Sequence, residues 1–139
     1  MEAATSFFHA CEKGGGWSGC SPFCATDAGF TVQAVNALSG PEITACTTVA
    51  EYAEWQKAAN ESLGEKATYE LHASAYDAST STALFFATFA GVIHYVYAVK
   101  IGTQTDGEAK VIGLTKVRMQ IASRWRVYGF WFTETMRLI

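Results

Sequence analysis

The spacing of apolar and polar positions changes twice along the chain. In "ATSFFHACEK" the residues Phe7, Phe8 and Cys11 recur at helical spacing, and the glycines at 14 to 16 end the run because their backbone entropy disfavours helix. In "WSGCSPFCATDA" the three- and four-residue steps between Trp17, Cys20 and Cys24 predict a second short helix. "GFTVQAVNALSG" then alternates as an extended segment until Gly40-Pro41 breaks it. The strongest helical pattern is "TTVAEYAEWQKAANESLG". Thr48 with Glu51 forms a capping-box spacing, Gly64 supplies a stop, and Val49, Tyr52, Trp55 or Gln56, and Ala59 make one stripe.

From Ala67 the period becomes two. "TYELHASAY" and "TALFFATFA" flank the turn "DAST", and "TQTDGE" joins "YVYAVKI" to "AKVIGLTKVRMQI". Residues 81 to 101 as one straight strand would span about 70 Å, too long for a small domain, so the chain must reverse, and Ala90-Gly91 is the obvious place. The order is helix, helix, strand, long helix and an antiparallel meander, within one domain over residues 1–139.

Composition narrows the possibilities. Half the residues are hydrophobic and only 17% are charged, below the roughly 25% of ordinary soluble domains, so some apolar surface should meet a ligand or another subunit. A formal charge of −3 argues against broad attachment to nucleic acid, which needs many cations facing phosphates. The cations gather late, at Lys110, Lys116, Arg118, Arg124, Arg126 and Arg137, and are read first as a solvated or subunit-facing surface. No apolar run reaches the roughly 18 residues of a membrane span, no leader pattern opens the chain, and a cytoplasmic protein is expected. Cys11, Cys20, Cys24 and Cys46 are most simply core residues; a metal site with His9 lacks the usual spacings, and neither metal nor cofactor is expected.

Several stretches carry a family resemblance: "FCATDAGFTV" after two short helices, "AEYAEWQKA", "YELHASAYD" followed by "ALFFATFAG", and "YVYAVKI" followed by "VIGLTKV". From about Phe7 to Phe130 the chain resembles the nuclear-transport-factor-2-like superfamily, in particular SnoaL-like proteins related to polyketide cyclases. The resemblance implies an α+β fold: a cone-shaped, curved antiparallel sheet packed against about three helices and enclosing a pocket. It leaves the activity open, because such a fold hosts isomerases, dehydratases, epoxide hydrolases, cyclases and binding domains alike.

Relatives that move protons place a carboxylate in the pocket, where desolvation raises its pKa. In the ketosteroid-isomerase branch it follows an "A-D-A" turn, but the matching residues here, Ala28 to Gln33, contain no acid. Phe7 and Phe8 stand where that branch offers a Tyr, and in the last strand Arg118 and Gln120 stand where many relatives have an aromatic and an acid. The loop between the middle strands is also missing, so a more open or differently closed pocket is expected. His72 and His94 fall most simply on the outer face, and Asp27 and Asp77 in turns. Trp55, Tyr69, Phe85, Tyr95, Tyr97 and Met119 are the candidate lining of a pocket for an apolar small molecule, aromatic or polycyclic. The alternatives are a lyase, isomerase or cyclase using a His or Tyr, and a dimerising interaction domain without ligand. A homodimer through the outer face of "ALFFATFA" is expected.

Overall fold

The computed structural model describes residues 1–33, 45–121 and 136–138. Helix α1 (Glu2–Glu12) buries Ala4, Phe7, Phe8, Cys11 and Glu12, steps of three and four that make one face. Helix α2 (Gly16–Cys20) is followed by a 3-10 turn at Ser21–Phe23, and strand β1 (Cys24–Gln33) begins directly after it. The second helix is therefore shorter than its pattern predicts. Pro22 sits in the 3-10 turn, and Cys24 turns extended to pair with Val111, so the sheet ladder claims "CATDA". The expected continuation of β1 beyond Gln33 lies outside the described residues.

Helix α3 (Val49–Leu63) forms as expected. Thr48 and Glu51 close a reciprocal capping box, and Gly64 follows with φ +57°. The meander is β2 (Tyr69–Asp77), β3 (Thr82–Phe89), β4 (Ile93–Thr103) and β5 (Ala109–Ile121). Its reversal falls at Ala90 and Gly91, both with positive φ. The sheet order is β1-β5-β4-β3-β2, and the short strand β6 (Met136–Leu138) also pairs with β5. The meander is antiparallel, but β1 joins β5 in parallel, so the sheet is mixed and not closed. Pairing between segments so distant in sequence leaves no local signature.

Alternation assigns the two faces. Ala83, Phe85, Ala87 and Phe89 of β3 and Tyr95, Tyr97 and Val99 of β4 point inward, where α1 and α3 cover them. Phe8 stacks on Phe85 at 4.8 Å between ring centroids. Each fully buried Phe contributes about 1.5 to 3 kcal/mol, so Phe7, Phe8 and Phe85 together can offset the several kcal/mol of holding a carboxylate under α1. On the outer face Leu84 is 40% exposed and Phe86 half-buried. No helix among the described residues is long and apolar enough to cross a membrane.

Candidate functional site

A cavity of about 210 Å³ lies between α3 and the inner face of the sheet. Trp55, Ala59 and Leu63 form one wall, and Val32, Phe89 and Ile93 the other. Its polar groups, Gln56, Tyr95, Lys116 and Arg118, come from α3, β4 and β5. Leu63 is 39% exposed, so the wall reaches the surface there. Phe89 and Ile93 flank the tight β3–β4 reversal.

Behind this lining runs a buried hydrogen-bonded chain. The Lys116 Nζ donates to the Tyr52 hydroxyl at 2.9 Å, and Tyr52 in turn meets the Tyr97 hydroxyl. Tyr97 donates to Glu12 Oε1 at 2.5 Å, and Tyr95 donates to the other carboxylate oxygen. Tyr52 also donates to Gln56 Oε1 at 3.1 Å. The Gln56 amide is fixed in that orientation because its nitrogen donates to Asn60 Oδ1 at 2.7 Å, while Asn60 Nδ2 donates to the Glu12 carbonyl at 2.8 Å. Tyr52 and Tyr97 bring two phenolic protons to three contacts: Gln56, each other and Glu12. The chain therefore has room for one further proton and can pass it along its length.

Local backbone holds Glu12 there. Gly14 has φ +74°, and a Cβ added to it would lie 2.8 Å from Asn60 Nδ2. Only glycine lets the end of α1 come so close to α3.

Burial dominates the electrostatics. It pushes the Tyr52 and Tyr97 hydroxyls well above the ordinary phenol range, with the nearby Glu12 carboxylate adding to the effect, and raises Tyr95 in the same way. Burial pulls the Lys116 amine below its usual value, and the Glu12 carboxylate partly opposes that. Four aromatic rings surround Nζ, those of Tyr95 at 4.4 Å, Tyr52 at 5.2 Å, Tyr97 at 5.3 Å and Trp55 at 6.0 Å from their centroids. Their faces favour the ammonium while the loss of water disfavours it. The group is thus placed to hold or release a proton beside the cavity.

No family model and no curated protein matches this sequence. Solved structures do match it. A protein of unknown function with a cystatin-like fold from Methylobium petroleophilum PM1 is 12% identical, with a TM-score of 0.63 over 98% of this chain and 93% of that one. A SnoaL-like protein of unknown function from Burkholderia thailandensis E264 is 10% identical, with a TM-score of 0.56 over 82% and 88%. An NTF-2-like protein of unknown function from Burkholderia xenovorans LB400 is 14% identical, with a TM-score of 0.55 over 94% and 92%. The chain has the cystatin-like, NTF-2-like α+β fold. At these identities the likeness concerns the fold alone.

Within that fold the six candidate lining residues divide. Trp55 and Tyr95 border the cavity. Phe85 and Tyr97 are fully buried, Phe85 against Phe8 and Tyr97 as a link in the chain to Glu12. Tyr69 hydrogen-bonds His9 Nδ1 at 2.8 Å and packs edge-on to Phe8, apart from the cavity lining. Met119 pairs with His94, one residue out of phase with the inward Lys116 and Arg118, so parity turns it to the outer face.

The histidines share that outer face. His72 Nε2 and His94 Nδ1 both bond Thr88 Oγ1, at 2.6 and 2.8 Å. Asp77 caps its own turn through Ser79 and Thr80, whose hydrogen bonds hold its carboxyl below the usual range. Asp27 is exposed on β1, in a strand where a turn was expected. Among the described residues no group of three or more His, Cys, Asp or Glu could hold a metal ion, and Cys11 and Cys20 contact each other at 3.1 Å. The side chain of Gln120 and residues Arg124 and Arg126 lie outside the described residues.

The family pattern points to an acid on β1 or β5, whereas the buried acid is Glu12 at the end of α1. The signal was present, because Glu12 continues the stripe of Ala4, Phe7, Phe8 and Cys11 by one four-residue step from Phe8. The late run of cations places Lys116 at the surface, whereas strand parity pairs it with the inward Tyr97.

Proposed function

We propose that this protein binds a small, largely apolar molecule bearing one oxygen-containing polar group, and that the group is turned toward Lys116. The observation that carries this reading is the division of the cavity: apolar walls from α3, β1 and the β3–β4 reversal, and polar groups joined to a buried proton-holding chain. A cavity of about 150 Å³ lined by apolar side chains suffices for benzene. The 210 Å³ here suits one substituted ring and is too small to enclose a polycyclic molecule. It also falls below the roughly 300 to 1,000 Å³ of drug-sized sites.

A second reading is an enzyme of the lyase, isomerase or cyclase kind. It is favoured by Glu12, Tyr97, Tyr52 and Lys116, which join an acid to the Tyr97 hydroxyl already among the sequence candidates. In this reading the Glu12 carboxylate of α1 works together with the Tyr97 and Tyr95 hydroxyls that donate to it.

Calorimetric titration with toluene and benzyl alcohol tests the binding reading. Benzyl alcohol should bind more tightly than toluene, and Lys116→Met should remove about 1.5 to 3 kcal/mol from the alcohol while leaving toluene nearly unchanged, because one hydrogen bond from a charged group is lost. Absence of binding by both compounds, or equal affinity of the wild type for the two, would refute it.

A further inference from the structure

We propose that Lys116 is a covalent site for carbonyl compounds: its side-chain nitrogen condenses with a small aldehyde or ketone held in the cavity to form an iminium ion. This rests on the cavity being a small-molecule site, and it adds a reaction to that reading.

Geometry carries the inference. Lys116 is a lysine whose nitrogen is turned inward, against four aromatic rings and the Tyr52 hydroxyl, and the same residue borders the cavity. Lys13, Lys57, Lys66 and Lys100 are exposed. An amine becomes a nucleophile only after losing its proton, and two features at this site provide for that. Burial lowers the affinity of Lys116 for the proton, and the Tyr52–Tyr97–Glu12 chain has room for the proton released. The charged and titratable groups around Nζ are Glu12 and Cys11 from α1, Tyr52 from α3, Tyr95 and Tyr97 from β4, and Arg118 on β5.

The reaction balances without an outside reagent. The ammonium gives one proton to Tyr52 and the chain behind it. The nitrogen lone pair then forms a bond to the carbonyl carbon, and the π pair moves to the oxygen. One nitrogen proton shifts to that oxygen, giving a neutral carbinolamine. The stored proton returns through Tyr52 to the hydroxyl, the carbon–oxygen bond breaks, and water leaves as the nitrogen lone pair closes the iminium. An ammonium and a carbonyl compound have become an iminium and water, with no net proton exchanged.

Benzaldehyde with sodium cyanoborohydride at neutral pH, followed by peptide mass mapping, reads this directly in the wild-type protein. Reduction fixes each iminium as a benzyl group on its lysine. The Lys116 peptide should be labelled at least about tenfold faster than the four exposed lysines, through preorganisation in the cavity. Tyr52→Phe should slow labelling at Lys116 by about a hundredfold through loss of the proton relay, while labelling of the four exposed lysines stays unchanged. Benzyl alcohol has the same ring but no electrophilic carbon, so it should compete with labelling and separates the two claims. If it binds and Lys116 is labelled no faster than the exposed lysines, the covalent site is refuted and the binding reading stands. If it does not bind, both fall.

Discussion

Two rows of hydrogen-bonded polar side chains lie on opposite faces of one sheet, and they differ in what surrounds them. On the inner face Glu12, Tyr97 and Tyr52 are almost wholly enclosed and lead to Lys116 at the cavity. On the outer face His72, Thr88 and His94 are joined just as closely, but His72 is exposed and faces the Glu70 carboxylate at 4.0 Å across open surface. Neighbouring residues of β4, His94 and Tyr95, belong to different rows. Hydrogen bonding alone therefore does not mark the site. Enclosure does, because removing water strengthens each polar contact and makes an unpaired group costly.

The difference can be broken by substitution. Glu12→Ala should have the largest effect, about 3 to 5 kcal/mol lost in denaturant melts, because it leaves the enclosed Tyr95 and Tyr97 hydroxyls without an acceptor and takes away the negative charge that favours the half-buried Lys116 ammonium. Thr88→Val removes the centre of the outer row with little change in volume and should cost only about 0.5 to 1.5 kcal/mol, since water can reach His72. Equal losses in the two variants would show that enclosure does not separate the rows.

The smallest effect is one of slope. Lys116 binds its proton less tightly in the folded chain than its ordinary value of about 10.4, so the unfolded chain carries more protons in the alkaline window just below that value. Stability due to Lys116 should therefore rise with pH through that window and level off above it. Burial moves the thiols of Cys11 and Cys24 upward, Cys24 to about 12, which lowers stability over much of the same range. The quantity to follow is the difference between wild type and Lys116→Met, in which the thiols cancel. A difference that is flat with pH would contradict the assignment.

What the sequence revealed follows the range over which each feature is determined. The Thr48–Glu51 capping box, the Gly64 stop, the "DAST" turn and the Ala90-Gly91 reversal are local, and all appear where the pattern puts them. The parallel pairing of β1 with β5 is not local, and neither is the register that turns Met119 outward while Lys116 faces inward. Glu12 shows the limit most clearly. Its helical stripe was readable, but a carboxylate at a helix end beside glycines ordinarily faces water. What makes its burial tolerable is a pair of hydroxyls from residues 83 and 85 positions later in the chain.

The most direct test of the account is the position of benzyl alcohol in crystals of the wild-type protein. The ring should lie between Trp55 and Leu63 on one side and Phe89 and Ile93 on the other, with the hydroxyl about 2.7 to 3.2 Å from Lys116 Nζ. A ring bound elsewhere, or one seated in the cavity with its hydroxyl turned away from Lys116 toward solvent, would contradict the claim that the enclosed polar row is the recognising end of the site.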